Sequence, residues 1–155
     1  ASIRADRAII ATGGSVVYGK EAMEHLKEIG MTLQQLEPGC DAQISFVPVR
    51  GDFPRGIFAV TTVTTDPGAE EARKLYEDYY ATAAFTHVMP RAVDLKQVVN
   101  TNKCLLQLEK NGDKLLIVSC IDNLLKGASG QAVQNMNLIF GLPEKTGLML
   151  KPSAF

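Results

Sequence analysis

The sequence has almost no net charge and no long apolar run, and these shortages narrow the classes of protein to which it can belong. Its 16 basic and 17 acidic residues give a formal net charge of −1, which offers no electrostatic reason to bind nucleic acid or an anionic membrane. No apolar run approaches the roughly 20 residues that a membrane-spanning helix needs. The N-terminus lacks the pattern of a cleaved signal peptide, so we expect a cytoplasmic protein.

Cysteine is also scarce. The three cysteines, Cys40, Cys104 and Cys120, are odd in number and scattered, which indicates reduced thiols of a cytosolic protein rather than a disulfide framework. No two of them have zinc-ligand spacing, so we expect no metal site. Cys40 follows a Pro-Gly turn with no neighbouring base to lower its pKa, and we expect it to be inert.

Length and composition predict one domain of ordinary size. The chain has 155 residues, of which 46% are hydrophobic, enough to bury a core. Strands and helices are expected in the order β-α-β-β-α-β-β-α. The predicted strands cover Arg7–Ala11, Ala42–Val49, Ile57–Thr65, Val98–Leu108 and Lys114–Ile121.

Start and stop signals mark three helices. The first runs from Lys20 to the Pro38-Gly39 turn. The second is predicted to have Asp66 as its N-cap and Pro67 at its first position. The third follows Ser129, which is expected to cap it.

The pair Asn111-Gly112, between the last two predicted strands, is a strong hairpin signal. Strands joined by so short a turn must be antiparallel. We therefore expect an α+β fold with a mixed, mostly antiparallel sheet covered by helices.

The junction between the last strand and the last helix is the richest candidate site. Gly127 and Gly130 flank an expected loop in which a ligand could approach backbone N–H groups at a helix N-terminus. Asn123 and the helix amides can both donate and accept hydrogen bonds. The alternative is a capped amphipathic helix whose polar face meets water. Its predicted apolar stripe consists of Ala132, Val133, Met136, Ile139 and Phe140.

A second candidate site is the loop VRGDFPRG, which holds Arg50, Asp52 and Arg55. Two guanidinium groups near a strand end can clamp a carboxylate or phosphate, but an ordinary turn with a local Arg–Asp pair remains open. His25 lies on the first predicted helix and His87 in a loop or edge strand. A solvated side chain is the simpler interpretation for both.

The stretch DNLLKGASGQAVQNMNLIFGLPEKTGL closely resembles the C-terminal signature of the N-acetyl-γ-glutamyl-phosphate reductases, NADPH-dependent enzymes of arginine biosynthesis. FVPVRGDFPRGIFAV and LKQVVNTNKCLLQL are similar to the same family, so the resemblance covers residues 25–155. It implies a catalytic and dimerisation domain like that of glyceraldehyde-3-phosphate dehydrogenase. It also implies a homo-oligomer that acts on N-acyl-γ-glutamyl phosphate and N-acyl-glutamate semialdehyde, with the choice between acetyl and succinyl left open.

The resemblance also assigns roles to residues. Asn123, Lys126, Gly127 and Gly130 would line the cofactor side near the nicotinamide of NADP. His25 matches the second histidine of the family's H-x-H-x-x-E-I motif, which implies a catalytic acid/base role. Two further residues, Arg50 and Arg55, would contact the substrate's carboxylate or phosphate.

Two departures from the family matter. The chain lacks the Rossmann glycine fingerprint and the N-P-G-C nucleophile motif, and Cys40 in EPGC follows His25, the wrong order for the family. We therefore expect no activity from this chain alone. Residues 1–24 instead resemble the T-G-G segment of shikimate kinase, which predicts a foreign segment over 1–24 and a reductase domain over 25–155. A kinase fragment, without a Walker A lysine, and a non-enzymatic dimerisation module are the alternative functions.

Overall fold

A six-stranded mixed sheet forms the centre of the molecule. The computed structural model describes residues 7–13, 20–39, 42–49 and 51–152, with side chains at 27–39, 42–45 and 51–152. The strand order across the sheet is β2-β1-β3-β6-β5-β4. The strands are β1 Arg7–Gly13, β2 Gln43–Val49, β3 Ile57–Thr64, β4 Thr86–Val88, β5 Cys104–Asn111 and β6 Lys114–Ile121.

Antiparallel pairing predominates. β3 pairs antiparallel with β1 and with β6, and β6 pairs antiparallel with β5. The two outer pairs, β1 with β2 and β4 with β5, are parallel. The predicted α+β fold with a mixed, mostly antiparallel sheet is confirmed. β1 belongs to the segment 1–24 and lies inside the sheet, between β2 and β3.

Three α-helices accompany the sheet in the described part of the chain: α1 Lys20–Leu36, α2 Ala69–Tyr80 and α3 Gly130–Ile139. α1 lies against β2, and α2 lies against β4 and β5. In the described ranges, no helix combines the length and apolarity needed to cross a membrane.

The predicted start of α2 was wrong. The helix begins at Ala69, and Gly68, with φ −66° and ψ 170°, is its N-cap. Asp66 and Pro67 precede it because the chain still follows the sheet at Thr65, whose N–H donates to the carbonyl of Asp113 in the hairpin loop at 2.9 Å.

The segment before β5 corrects a second prediction, since residues 98–103 are turns rather than strand. Asp94 caps a short 3-10 turn over Leu95–Gln97, where its carboxylate accepts from the Lys96 N–H at 2.8 Å. Asn100 then adopts a φ of 62°, which breaks any extended run. The apolar residue Val98 is fully buried in this turn, so its apolarity reflected burial and not strand conformation.

The β5–β6 hairpin is confirmed. Asn111 pairs with Lys114, which leaves Gly112 and Asp113 as a two-residue loop. Gly112 has a φ of 59°, a conformation that glycine adopts without steric cost.

One face of the sheet carries a buried apolar cluster, made up of Val93, Val98, Leu105, Val118 and Cys120.

Leu115, on β6, is 2% exposed, whereas Leu75 on α2 is 40% exposed. Leu115→Ala should lower the free energy of unfolding by about 2–5 kcal/mol, because it removes buried surface and leaves a cavity. Leu75→Ala should cost less than about 1 kcal/mol. Urea unfolding of both variants measures the difference, and equal losses would contradict this core.

Candidate functional site

The carboxylate of Asp122, which directly follows β6, joins three segments of the chain. Its Oδ1 accepts from Arg55 Nη2 at 2.8 Å and from the Leu124 and Leu125 N–H groups, both at 2.9 Å. Its Oδ2 accepts from the Asn100 N–H at 2.7 Å. The loop before β3, the turn before β5 and the segment after β6 therefore meet at one buried side chain.

The charge of Asp122 is stabilised where it lies. Burial alone would raise the pKa of this carboxyl, but the hydrogen bond from Arg55 and those from the backbone outweigh burial and lower the pKa below its ordinary value. Asp122 in turn neutralises the positive charge of Arg55, whose side chain is 25% exposed. Its buried Nε has no hydrogen-bond partner within the described part of the chain.

Asn123 presents a side-chain amide beside this carboxylate. Its Oδ1 accepts from the Gly56 N–H at 2.7 Å, which fixes which end of the amide is oxygen. Gly56 has a φ of 117°, and a Cβ there would lie 2.8 Å from Leu95 Cδ2, so a glycine is required. No described residue accepts a hydrogen bond from the Asn123 Nδ2. The half-buried amide thus offers its NH₂ to an external acceptor such as a carbonyl.

The glycine-containing junction is helical, which corrects the predicted open loop. A π-helical turn over Leu125–Ser129 runs directly into α3. The Gly127 N–H donates to the Asp122 carbonyl, and the Ser129 N–H donates to the Leu124 carbonyl, both at 3.0 Å. Neither N–H is available to a phosphate. Ser129 is itself helical and donates its hydroxyl to the Leu124 carbonyl, so it caps nothing.

The two glycines serve different purposes. Gly130 is buried, and a Cβ there would lie 1.7 Å from Asn102 Oδ1 and 2.8 Å from the Leu125 carbonyl oxygen. Close packing therefore requires this glycine. A Cβ on Gly127 would meet only Ile121 Cδ1 at 3.5 Å and the Asp122 carbonyl at 3.7 Å, which are ordinary contacts.

Lys126 contacts its own chain. Its Nζ donates to Gln134 Oε1 at 3.0 Å and lies 5.9 Å from the centroid of the Phe85 ring. Gln134 donates onward to Glu144 Oε1 at 2.6 Å. The lysine therefore links the π-helical turn to α3 and to the segment that follows it.

Neither described cysteine is poised as a nucleophile. Burial raises the pKa of the Cys104 thiol, although Lys126 and a hydrogen bond with Thr86 oppose the shift. Burial chiefly raises the pKa of Cys120 to about 12. Both stay protonated at neutral pH, and a protonated thiol is a weak nucleophile. Cys40 lies outside the described residues.

α3 turns its apolar stripe outward. The side chains of Met136, Ile139 and Phe140, which we call the outer apolar face, are exposed, Ile139 by 78% and Phe140 by 73%. The inward side holds Gly130 and Asn137, both buried. Asn137 Nδ2 donates to two carbonyls of the following segment, at 3.1 and 3.0 Å. The Asn137 side chain therefore points inward, where it holds the segment after the helix against α3.

The remaining predicted site residues are only partly placed. His25 is in α1, but its side chain lies outside the described residues, as does the whole of Arg50. His87 is in the edge strand β4, and its pKa is lowered by burial and by Lys103 and Lys145. The structure brings Arg55 and Gly127 into contact with Asp122, beside Asn123. The Lys126 side chain points to Gln134 and Phe85, and Gly130 packs against Asn102.

Sequence reasoning missed Asp122, Asn100 and Asn102. The Asp-Asn pair ending β6 was visible as a polar break after an apolar run, but nothing local indicated that its partners lie 67 residues away. Residues 98–103 were interpreted as strand, which hid both asparagines.

Comparisons with known proteins bear on the same region. The profile of a family described as "Semialdehyde dehydrogenase, dimerisation domain" matches residues 8–123. Curated N-acetyl-gamma-glutamyl-phosphate reductases of Bacteroides fragilis and Bacteroides thetaiotaomicron are 61% and 62% identical to the chain over 139 residues, 90% of its length. The chain spans 43% of the length of these relatives.

Among solved structures, aspartate semialdehyde dehydrogenase II of Vibrio cholerae, complexed with ASA, matches with a TM-score of 0.66 at 12% identity, covering 90% of this chain and 56% of that one. This likeness shows the fold alone. The family match begins inside the segment 1–24, and the comparisons give the shikimate kinase hypothesis no support. The division of the chain at residue 24 stays a prediction.

The two glycines of the junction allow a matched test. Gly130→Ala should lower the free energy of unfolding by about 1–3 kcal/mol, because its methyl group must displace Asn102 or the Leu125 carbonyl. Gly127→Ala should be neutral or stabilising by up to about 1 kcal/mol, since the site is helical and has room. Urea unfolding measures both. A fully stable Gly130→Ala would contradict the packing at Asn102.

Asp122 should contribute a stability that depends on pH. Its pKa in the folded chain lies below the unfolded value of about 3.9, so its contribution is fully present above that value and is lost as the pH falls through the folded pKa. Below about pH 4, wild type should lose stability more steeply than Asp122→Asn. Urea midpoints from pH 3 to 7 measure the slopes. The control is Asp78→Asn, which removes a carboxylate from the exposed pair with Lys74, and an equal change of slope in both variants would contradict the role of Asp122.

Proposed function

Because the chain belongs to the semialdehyde dehydrogenase dimerisation-domain family, we propose that it acts as the catalytic and dimerisation part of an N-acyl-γ-glutamyl-phosphate reductase. The observation that carries the proposal is the anchored amide of Asn123, which offers two N–H donors at the end of the sheet. The identity of about 60% to named reductases supports the same assignment.

NADP is the cofactor that we propose for this site, and it would supply the hydride. The side chain of Asn123 fits the carbonyl oxygen of a nicotinamide carboxamide. Its Oδ1 already accepts from the Gly56 N–H, so its Nδ2 is left to donate to a ligand. The chain contains no glycine-rich dinucleotide fingerprint, so most of the cofactor's binding surface would come from elsewhere. Lys126, Gly127 and Gly130 support this amide as part of the helical junction rather than by touching phosphate.

The substrate side would be formed by Arg50 and Arg55, with N-acyl-γ-glutamyl phosphate and N-acyl-glutamate semialdehyde as the substrate pair. The Nη2 of Arg55 donates to Asp122, whereas its Nη1 has no partner among the described residues. The Nη1 can therefore still donate to a carboxylate or phosphate. Because Asp122 balances its charge, Arg55 would orient an anion more than attract it. His25 is proposed as the acid/base.

The outer apolar face of α3 supports the presence of a covering domain. An exposed cluster of Met136, Ile139 and Phe140 is unusual for a helix whose other side is polar and buried. The relatives are more than twice as long as this chain, so they possess residues that could cover it. We propose a cytoplasmic homo-oligomer in which the chain is inactive without such a domain.

A chimera tests the proposed function. The 139 matching residues of the Bacteroides fragilis reductase are replaced by those of this chain. NADP reduction by N-acetyl-glutamate semialdehyde, and separately by N-succinyl-glutamate semialdehyde, with phosphate is followed at 340 nm. The chimera should be active, and the isolated 155-residue chain should not. A folded but inactive chimera would overturn the proposal, and activity of the isolated chain would overturn its dependence on another domain.

Within the chimera, Asn123→Ala should raise the KM for NADP about tenfold, since one hydrogen bond of about 1.4 kcal/mol is lost. Gln131→Ala, at an exposed position of α3, is the control and should leave the KM unchanged. Equal KM values for both variants would remove Asn123 from the cofactor site.

A further inference from the structure

Asp122 is connected to Asn123 by two routes, one through the residues that follow Asn123 and one through Arg55 and Gly56. The N–H groups of Leu124 and Leu125, which follow Asn123 directly, donate to Asp122 Oδ1. Arg55, which donates to the same oxygen, directly precedes Gly56, whose N–H holds the Asn123 amide. A closed ring therefore runs from Asp122 through Arg55 and Gly56 to Asn123 and back along the chain.

Only a carboxylate fits this ring. The two oxygens of Asp122 face four donors, three on Oδ1 and one on Oδ2, and none of its partners is an acceptor. An asparagine of the same shape would turn an NH₂ group either toward the Asn100 N–H or toward the three donors at Oδ1. Either orientation sets donor against donor, so the geometry of the ring depends on the negative charge.

We propose that Asp122 is the positioning residue of the ligand site, which fixes the direction of the Asn123 NH₂ group through Gly56 and the following turn. The carboxylate touches no ligand, because it is fully buried. The inference rests on the proposed function only in the identity of the ligand that meets Asn123. The orientation of Asn123 by Asp122 is inferred from their hydrogen bonds alone.

Arg55 has a corresponding part in the ring. Its guanidinium neutralises Asp122 and positions the Gly56 N–H one residue further along. A lysine at position 55 would keep a positive charge near Asp122 but would lose the planar fork that sets the direction of the bond. Arg55→Lys should therefore disturb Asn123 less than removal of the Asp122 charge does.

The first experiment uses the 155-residue chain and needs no cofactor. NMR records the side-chain amide signals of Asn123, assigned by their loss in Asn123→Ala, together with hydrogen exchange of the Gly56 N–H. In Asp122→Asn, the Gly56 N–H should exchange at least about tenfold faster than global destabilisation accounts for, and the Asn123 signals should shift or broaden. Unchanged signals and exchange would overturn the proposal.

The matched control is Asp94→Ala, because asparagine would cap this turn as well as aspartate does. Asp94 also accepts a backbone N–H, but it caps the 3-10 turn and has no described contact with Asn123. This variant should lower stability and leave the Asn123 signals in place. If both variants moved Asn123 equally, Asp122 would be a support of the fold and nothing more. Should Asp122→Asn fail to fold, Arg55→Lys is measured in its place, and unchanged Asn123 signals there overturn the proposal.

The second experiment uses the chimera. Asp122→Asn should raise the KM for NADP about tenfold, as a displaced Asn123 donor would, whereas a purely structural loss would reduce the active fraction and leave the KM unchanged. The two arms separate the hypotheses. An inactive chimera with a changed Asn123 signal overturns the reductase assignment alone, and an active chimera with an unchanged KM and signal overturns the positioning role alone.

Discussion

A carboxylate with no access to water, that of Asp122, is the interaction on which the candidate site depends. Its four hydrogen bonds come from three chain segments, and one of its partners is a guanidinium. Such a pair adds little stability over an apolar replacement, whereas loss of one partner alone costs about 3–5 kcal/mol. The four hydrogen bonds therefore fix one arrangement of these segments, beside the stability that the charge of Asp122 contributes above about pH 4. The ring holds the loop before β3 and the turn after β6 in one geometry.

Glycine has a packing role around this ring. Gly56 is required by its φ of 117° and by Leu95, and Gly130 is required because Asn102 lies where a side chain would be. Neither position needs a bound phosphate to explain it. A glycine-rich sequence before a helix is thus ambiguous between an anion site and a close contact. The N–H of Gly127 decides the matter here, since it already donates to the Asp122 carbonyl.

Local signals predicted much of the fold, and long-range contacts decided the rest. The Asn111-Gly112 hairpin and the strand Ile57–Thr64 follow from turn chemistry and β-branched residues, which act over a few positions. Buried turns such as 98–103 look like strands because apolarity reports burial rather than conformation. Arg55 and Gly56, which bond Asp122 and Asn123, each lie 67 residues from their partner, and nothing in a local pattern fixes that distance. The resemblance correctly indicated the family, but it carried no information on the hydrogen bonds of the junction.

The orientation of α3 bears on the covering domain that we propose. A helix that packed only within this chain would bury Ile139 and Phe140 and expose Asn137, but the observed arrangement is the reverse. Asn137 must point inward because two carbonyls of the following segment depend on it. The outer apolar face is therefore exposed, where the covering domain that we propose could contact it. Because α3 continues directly from the π-helical turn that Asp122 holds, a domain seated on that face would be fixed relative to Asn123 by the same carboxylate.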